Sequence, residues 1–330
     1  MLRNMTTPLL FGLAIALAYA GALLWGGLGR SASRGARRAS WIGAAVIVLA
    51  PLVIPPRGVI WRAIALCACV EVLFKGIDDR RRRQREDDHG METRDDFGRY
   101  CRFLIPFPPY LLTWGARERR LSARPPWSTT LSRFGLGGAM IAAGFGGLDL
   151  RSRFGLDAGV FWVDHLLVVA LFVLTIEGIS LALVTLEHAA GFDTDPPMRS
   201  IHFSRTPADF WRRYNVRVHR WLMDNIFRPA GGDRFPVRGV TATCLVSALF
   251  HEAAFAIATS RLDGRQFVFF LLQIPAVLLS PRLDRFAGAN GAVGRVLAHG
   301  LTVLWFAVTS TLFFHGVGRV FPFVFARPPV

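Results

Sequence analysis

Cysteine is scarce and lysine almost missing: the 330 residues hold four cysteines, and Lys75 is the one lysine among 39 basic residues. Cys67 and Cys69 lie inside an apolar run on different faces of a helix, with Cys101 and Cys244 far along the chain, so no metal or redox spacing exists. This excludes a disulfide scaffold, and the cysteines read as reduced structural residues. Acidic residues are also few, 23 against 39 basic ones, which leaves a formal charge of +16. No collagen-like glycine repeat and no polar low-complexity tract is present, so fibrous and disordered classes fall away. Apolar residues are what the chain has in abundance, 52% of the total with a mean hydropathy of +0.36. Together with the basic excess, this implies apolar blocks separated by arginine-rich stretches, and it points to lipid.

A bilayer span needs about 20 apolar residues. Eight segments approach that length, at residues 9–28, 41–54, 59–77, 134–148, 160–186, 240–258, 267–279 and 297–314. The first contains Ala18-Tyr19-Ala20, which resembles a signal-peptidase site, but the apolar run continues past it and the basic residues follow it, so a retained anchor is expected. The second is short and closes on Pro51, Pro55 and Pro56, and the third carries Glu71 and Lys75. The expected fold is all-α, a polytopic transmembrane bundle of about eight spans forming one integral-membrane domain over residues 1–330.

Arginine placement sets the expected orientation. The first loop holds Arg30, Arg34, Arg37 and Arg38, the third begins with Arg80, Arg81, Arg82 and Arg83, and the fifth is again basic, whereas the loops between carry few. By the positive-inside bias the third and fifth loops face the cytoplasm and both termini face away from it. That bias explains the charge excess without nucleic acid, and no recognition helix, zinc knuckle or RNA-binding sheet accompanies it. Residues 80–102, which also contain Glu86, Asp87, Asp88, Asp95 and Asp96, read as a solvated helical loop facing anionic membrane lipids. Arginine in place of lysine hints at a GC-rich coding sequence and a bacterial plasma membrane.

Between the fifth and sixth spans Thr206-Pro207-Ala208-Asp209 is a helix start signal, a capping threonine with proline at the first helical position and an acid three residues after the cap. No proline or glycine interrupts the chain from Asp209 to Phe227. At about 100° per residue, Trp211, Val218, Leu222 and Ile226 share a stripe with Asn215, while Arg213, Arg217, Arg220 and Asp224 lie opposite. An amphipathic helix lying in the cytoplasmic interface is expected, with Asn215 at the centre of its apolar stripe and His219 one turn on. A buried amide is costly unless hydrogen-bonded. Asn215 therefore either bonds a neighbouring helix end or serves a ligand.

The sixth span contains Ser247-Ala248-Leu249-Phe250-His251-Glu252, an imidazole and a carboxylate inside an apolar run. Ionisable groups within a membrane default to a functional reading. The plain structural reading is a neutral core histidine bonded to Ser247 one turn back. Phe255 stands where a zinc metalloprotease needs a second histidine, and His188, His202, His219 and His299 are scattered, so no metal is expected. Glu252 lies about 100° around the helix from His251 and is expected to bond another span. Glu177 is a further buried acid of the fifth span, expected either to pair with a cationic side chain from the active-site helices or to bond within the bundle.

The stretch Phe210-Trp211-Arg212-Arg213-Tyr214-Asn215-Val216-Arg217-Val218-His219-Arg220-Trp221, followed by Ser247-Ala248-Leu249-Phe250-His251-Glu252, resembles the membrane-bound O-acyltransferase family, in particular its wax-synthase-like branch. The specific likeness covers residues 199–256, with Ala248 where many relatives carry glycine. The resemblance implies a fatty acyl group moved from acyl-CoA, a co-substrate and not a resident cofactor, to the hydroxyl of a lipophilic acceptor, with a long-chain alcohol favoured. Carried over by position, the catalytic histidine is His251 and the asparagine Asn215, which either orients the acceptor or donates to the developing oxyanion. Trp211, Arg212, His219, Trp221, Ser247 and Glu252 are expected around the substrates, with Arg212 and His219 meeting either the CoA phosphates or lipid head groups and water. The competing class is a non-catalytic polytopic protein or a transporter with a buried His/Glu site. The chain shows no internal repeat of the kind transporters favour.

Overall fold

The computed structural model describes residues 2–31, 33–88, 97–154 and 160–324. Among these the chain is helical, without a strand; one isolated antiparallel bridge joins Arg120 to Phe192. The acids Asp95 and Asp96 expected in the third loop lie outside the described residues. In order the helices are α1 Leu2–Gly29, α2 Arg34–Leu49, α3 Val59–Asp88, α4 Phe97–Leu104, α5 Trp114–Glu118, α6 Trp127–Arg153, α7 Phe161–Ala189, α8 Pro207–Arg213, α9 Val216–Leu222, α10 Pro236–Thr259, α11 Arg265–Ala289 and α12 Gly291–Val320.

All eight expected spans fall on helices, and among the described residues six are long and apolar enough to cross a bilayer: Thr6–Gly29, Arg34–Val53, Phe161–Ala189, Pro236–Thr259, Arg265–Ala289 and Gly291–Val320. Segments 59–77 and 134–148 are the other two. They lie on α3, whose C-terminal half is dense in charge, and on α6, where glycine dilutes the apolar run.

Contacts divide the chain into two compact units, Met1–Arg119 with Ala253–Leu262, and Arg120–Glu252 with Asp263–Val330. In the first unit Ala18, Ala22, Trp25, Ile47, Val72 and Tyr100 form a buried core. Helices α1 and α2 meet at Gly21 and Gly43, where a Cβ on Gly43 would stand 2.3 Å from the Gly21 carbonyl oxygen, so a side chain there has no room. The arginines after Asp79 are not simply solvated as a loop reading expects. Asp79 is buried, and Arg30, Arg82 and Arg83 all converge on its carboxylate at 3.1–3.3 Å. Arg80 instead lies over the Trp41 ring, 4.7 Å from its centroid. A charged run on a helix that carries its own acid partners i, i+3 and i, i+4 folds inward onto them.

The second unit holds α6 to α9, most of α10, α11 and α12. Helices α6 and α7 pack closely along Gly137, Gly144 and Gly178. Glu187, fully buried near the end of α7, takes a bidentate ion pair from Arg217 of α9 and a 2.6 Å hydrogen bond from the Thr194 hydroxyl. Arg217 also donates to the Asp195 carbonyl, at 3.1 Å from Nε and 2.9 Å from Nη2. This network fixes the 190s segment against both helices.

Candidate functional site

The helix start read at Thr206 is present: its hydroxyl accepts from the Asp209 amide at 3.2 Å, with Pro207 at the first helical position. The continuous helix expected from Asp209 to Phe227 is not. The chain breaks at Tyr214 and Asn215 into α8 and α9, and Met223–Phe227 closes with a π-helical turn. Tyr214 is extended and Asn215 is left-handed, with φ 48° and ψ 57°. Asparagine is among the few residues that enter this region at modest cost.

The backbone groups released by the break are taken by residues 197–199, since the Val216 amide donates to the Pro197 carbonyl at 2.7 Å and the Arg199 amide to the Arg213 carbonyl at 3.0 Å. Asn215 therefore does not sit in the middle of a helix. It caps α9, its Oδ1 accepting from the Val218 amide at 3.4 Å. The single axis assumed for the helical wheel is broken at this point, yet Trp211, Val218 and Leu222 of the expected stripe line one cavity with Asn215, while Ile226 and the opposite-face residues Arg213, Arg217, Arg220 and Asp224 do not.

Helices α7 to α12 enclose an apolar cavity of about 390 Å³ within the second unit. That size suits one lipid-like ligand. Asn215, Trp211, Arg212 and His219 line it from α8 and α9, Ser247 and His251 from α10, Phe270 and Gln273 from α11, and Ser310 and Phe313 from α12. Trp221 and Glu252 are not on this wall. Trp221 is buried behind α9, its carbonyl accepting from Asn225 at 3.0 Å. Glu252 instead caps the start of α11: Oε1 accepts from the Asp263 and Gly264 amides at 3.1 and 2.8 Å, and Oε2 from the Phe267 amide at 3.1 Å. Glu177 turns to the Ile201 amide at 3.0 Å and to His202 Nδ1 at 3.2 Å.

His251 Nδ1 lies 2.8 Å from the Ser247 carbonyl oxygen, one turn back, and the ring packs on Phe270 at 4.3 Å between centroids. A carbonyl only accepts, so Nδ1 carries the proton and Nε2 keeps its lone pair. Among the described residues Nε2 has no hydrogen-bond partner. The bond to Ser247 runs through its backbone and leaves its hydroxyl on the cavity wall. Burial, with Arg212 and Arg220 nearby, holds the His219 imidazole below its ordinary pKa, so it is neutral at pH 7. Burial also pushes the Tyr214 phenol, another lining residue, up to about 12. Arg212 is largely exposed and reaches Asp209 at 3.6 Å.

Sequence reading did not reach Tyr214, Gln273 or Ser310. The last two come from α11 and α12, 22 and 59 residues after His251, and no local pattern marks which face of an apolar helix turns to a cavity.

Residues 149–312 match the family model described as MBOAT, membrane-bound O-acyltransferase family. The chain is 29% identical over 90 residues to "Diacylglycerol O-acyltransferase 1" of Arabidopsis thaliana, which covers 27% of this chain and 17% of that protein. It is 33% identical over 97 residues to "Diacylglycerol O-acyltransferase 1-2" of Oryza sativa subsp. japonica, covering 28% and 20%, and 31% identical over 97 residues to "Diacylglycerol O-acyltransferase 1" of Bos taurus, covering 28% and 19%. The chain thus aligns with about a fifth of the length of these relatives.

Proposed function

From a domain of the membrane-bound O-acyltransferase family at residues 149–312, we infer that this integral, multi-pass membrane protein transfers a fatty acyl group from acyl-CoA to the hydroxyl of a lipophilic acceptor. The observation that carries the reading is His251: its Nδ1–H is committed to the Ser247 carbonyl, its Nε2 has no hydrogen-bond partner among the described residues, and it shares an apolar cavity with Asn215, Arg212 and His219.

In this mechanism Nε2 takes the proton of the acceptor hydroxyl as the oxygen attacks the thioester carbonyl carbon. The C–S bond then breaks, and the leaving sulfur receives the proton from Nε2–H, giving an ester, free CoA thiol and a neutral histidine again. General-base help of this kind is worth typically about 10² to 10⁴ in rate. The Asn215 amide, its Oδ1 turned to Val218, offers Nδ2 as donor, either to orient a substrate or to meet the developing oxyanion. Arg212 is the side chain for a CoA phosphate. Trp211 and Ser247 line the acyl path, His219 acts as a neutral polar contact, and Trp221 and Glu252 support the walls.

A long-chain alcohol, giving a wax ester, is the acceptor favoured by the motif resemblance; the names of the aligned relatives add diacylglycerol as a second candidate. The basic third and fifth loops are assigned to the cytoplasmic side, and arginine usage to a bacterial plasma membrane. Purified protein with labelled palmitoyl-CoA and a panel of alcohols and partial glycerides tests the reading. Free CoA released only when a hydroxyl acceptor is present supports it; CoA release independent of acceptor, or no release at all, defeats it.

A further inference from the structure

We propose that Ser310, backed by His165, is a second hydrogen-bonding station of the cavity, which receives an oxygen of the acceptor other than the one being acylated. The proposal rests on the acyltransferase reading and concerns acceptor selection.

His165 lies in the apolar helix α7, is 1% exposed, and has no part in the chemistry above. Its Nε2 stands 3.1 Å from the Ala307 carbonyl oxygen and 3.0 Å from Ser310 Oγ. Since the carbonyl only accepts, Nε2 carries the hydrogen and shares it with the serine oxygen. The hydroxyl hydrogen of Ser310 then has the Ala307 carbonyl at 3.2 Å, longer than the O–H···O bonds proteins usually form. A hydroxyl that already accepts is a stronger donor, so an oxygen placed better in the cavity competes for that hydrogen.

Two other polar side chains of the cavity, Gln273 and Thr243, are already engaged. Gln273 takes the Trp305 indole N–H at 3.1 Å and donates to the Phe269 carbonyl at 3.0 Å, and Thr243 donates to the Gly239 carbonyl at 2.9 Å. Ser310 comes from α12 and His251 from α10, so a ligand with its reactive hydroxyl at His251 needs a second oxygen to use both. A partial glyceride or a diol monoester carries one. A simple long-chain alcohol does not.

The competing explanation is that the His165–Ser310 pair only pins α7 to α12. The full chain in nanodiscs, given palmitoyl-CoA with either dioleoylglycerol or hexadecanol, separates the two through the ratio of kcat/KM values for these acceptors. Ser310→Ala lowers the ratio, dioleoylglycerol over hexadecanol, by about three- to tenfold, the value of one hydrogen bond. Ser310→Thr, which keeps the hydroxyl, retains the ratio, and His165→Phe lowers it through Ser310. A ratio unchanged in Ser310→Ala, whatever happens to the absolute rates, identifies a structural pin and overturns the proposal. Transfer to neither acceptor by the unsubstituted protein refutes the acyltransferase reading itself, an outcome distinct from a constant ratio.

Discussion

Removing the carboxylate of Glu187 leaves the Arg217 guanidinium buried without its counter-charge. Glu187 is fully buried and the Arg217 side chain is 8% exposed, so neither can turn to water. The pair is bidentate, with Nη1 to Oε1 at 2.6 Å, and is supplemented by the Thr194 hydroxyl and the Asp195 carbonyl. Breaking one side of such a pair costs about 3 to 5 kcal/mol, whereas replacing both members with apolar residues of similar volume is often neutral. Glu187→Gln and Arg217→Met should therefore each lower unfolding free energy by about that amount, while Glu187→Leu with Arg217→Met should recover most of it.

Denaturant unfolding in mixed micelles, followed by tryptophan fluorescence, reads these differences. Because the 190s segment that Arg217 holds also supplies the Pro197 and Arg199 contacts at the break before α9, acyl transfer by Glu187→Gln should fall as well. A cost below about 1 kcal/mol for Glu187→Gln, or a double substitution as damaging as the two singles added, would refute the reasoning.

At Asn215 the backbone and the amide can be separated: Asn215→Ala should cost about 1 to 2 kcal/mol for the left-handed conformation and the lost cap, Asn215→Gly much less, while both lose transfer activity if the amide acts on substrate. Equal stability of the two variants in the same unfolding assay contradicts this. His219 has a folded pKa below its unfolded value of about 6.5, so its contribution to stability is present above that pH and is lost as pH falls toward the folded value. Melting temperature measured from pH 7.5 down to 5 should decline less steeply in His219→Gln than in the parent chain; parallel curves would show that His219 does not titrate as argued. Gly43→Ala places a Cβ 2.3 Å from the Gly21 carbonyl oxygen, so α1 and α2 must separate, and folded yield on size-exclusion chromatography should drop where Gly35→Ala leaves it intact.

Much of the helical framework was legible in composition, because long apolar runs broken by arginine admit few arrangements other than a bundle. The Thr206 cap was readable too, since capping is local chemistry. The break before α9 escaped for a physical reason. A helical wheel assumes an unbroken axis, and the break at Asn215 depends on Pro197 and Arg199 accepting and donating across the gap, contacts 14 to 19 residues away in sequence. The only local hint was asparagine's tolerance of positive φ.

His251 was expected to bond Ser247, but the partner is the backbone carbonyl, which matters because it fixes the tautomer and leaves the hydroxyl to the cavity. Glu252 reaches forward to the α11 amides, as its position around the helix suggested, and so is a support, not a wall residue. The Glu187–Arg217 and His165–Ser310 pairs join helices 30 and 145 residues apart, and charge patterning along one segment does not reveal such partners.

The most direct test is the rate of acyl transfer from labelled palmitoyl-CoA to a hydroxyl acceptor by the folded His251→Gln variant beside the parent protein. Glutamine keeps a polar side chain at the position but has no basic nitrogen. A fall of about 10² or more in kcat with little change in the KM for palmitoyl-CoA is the predicted result. Transfer within a few fold of the parent rate would show that the ring on α10 is not the base, and the proposed chemistry would have to be abandoned.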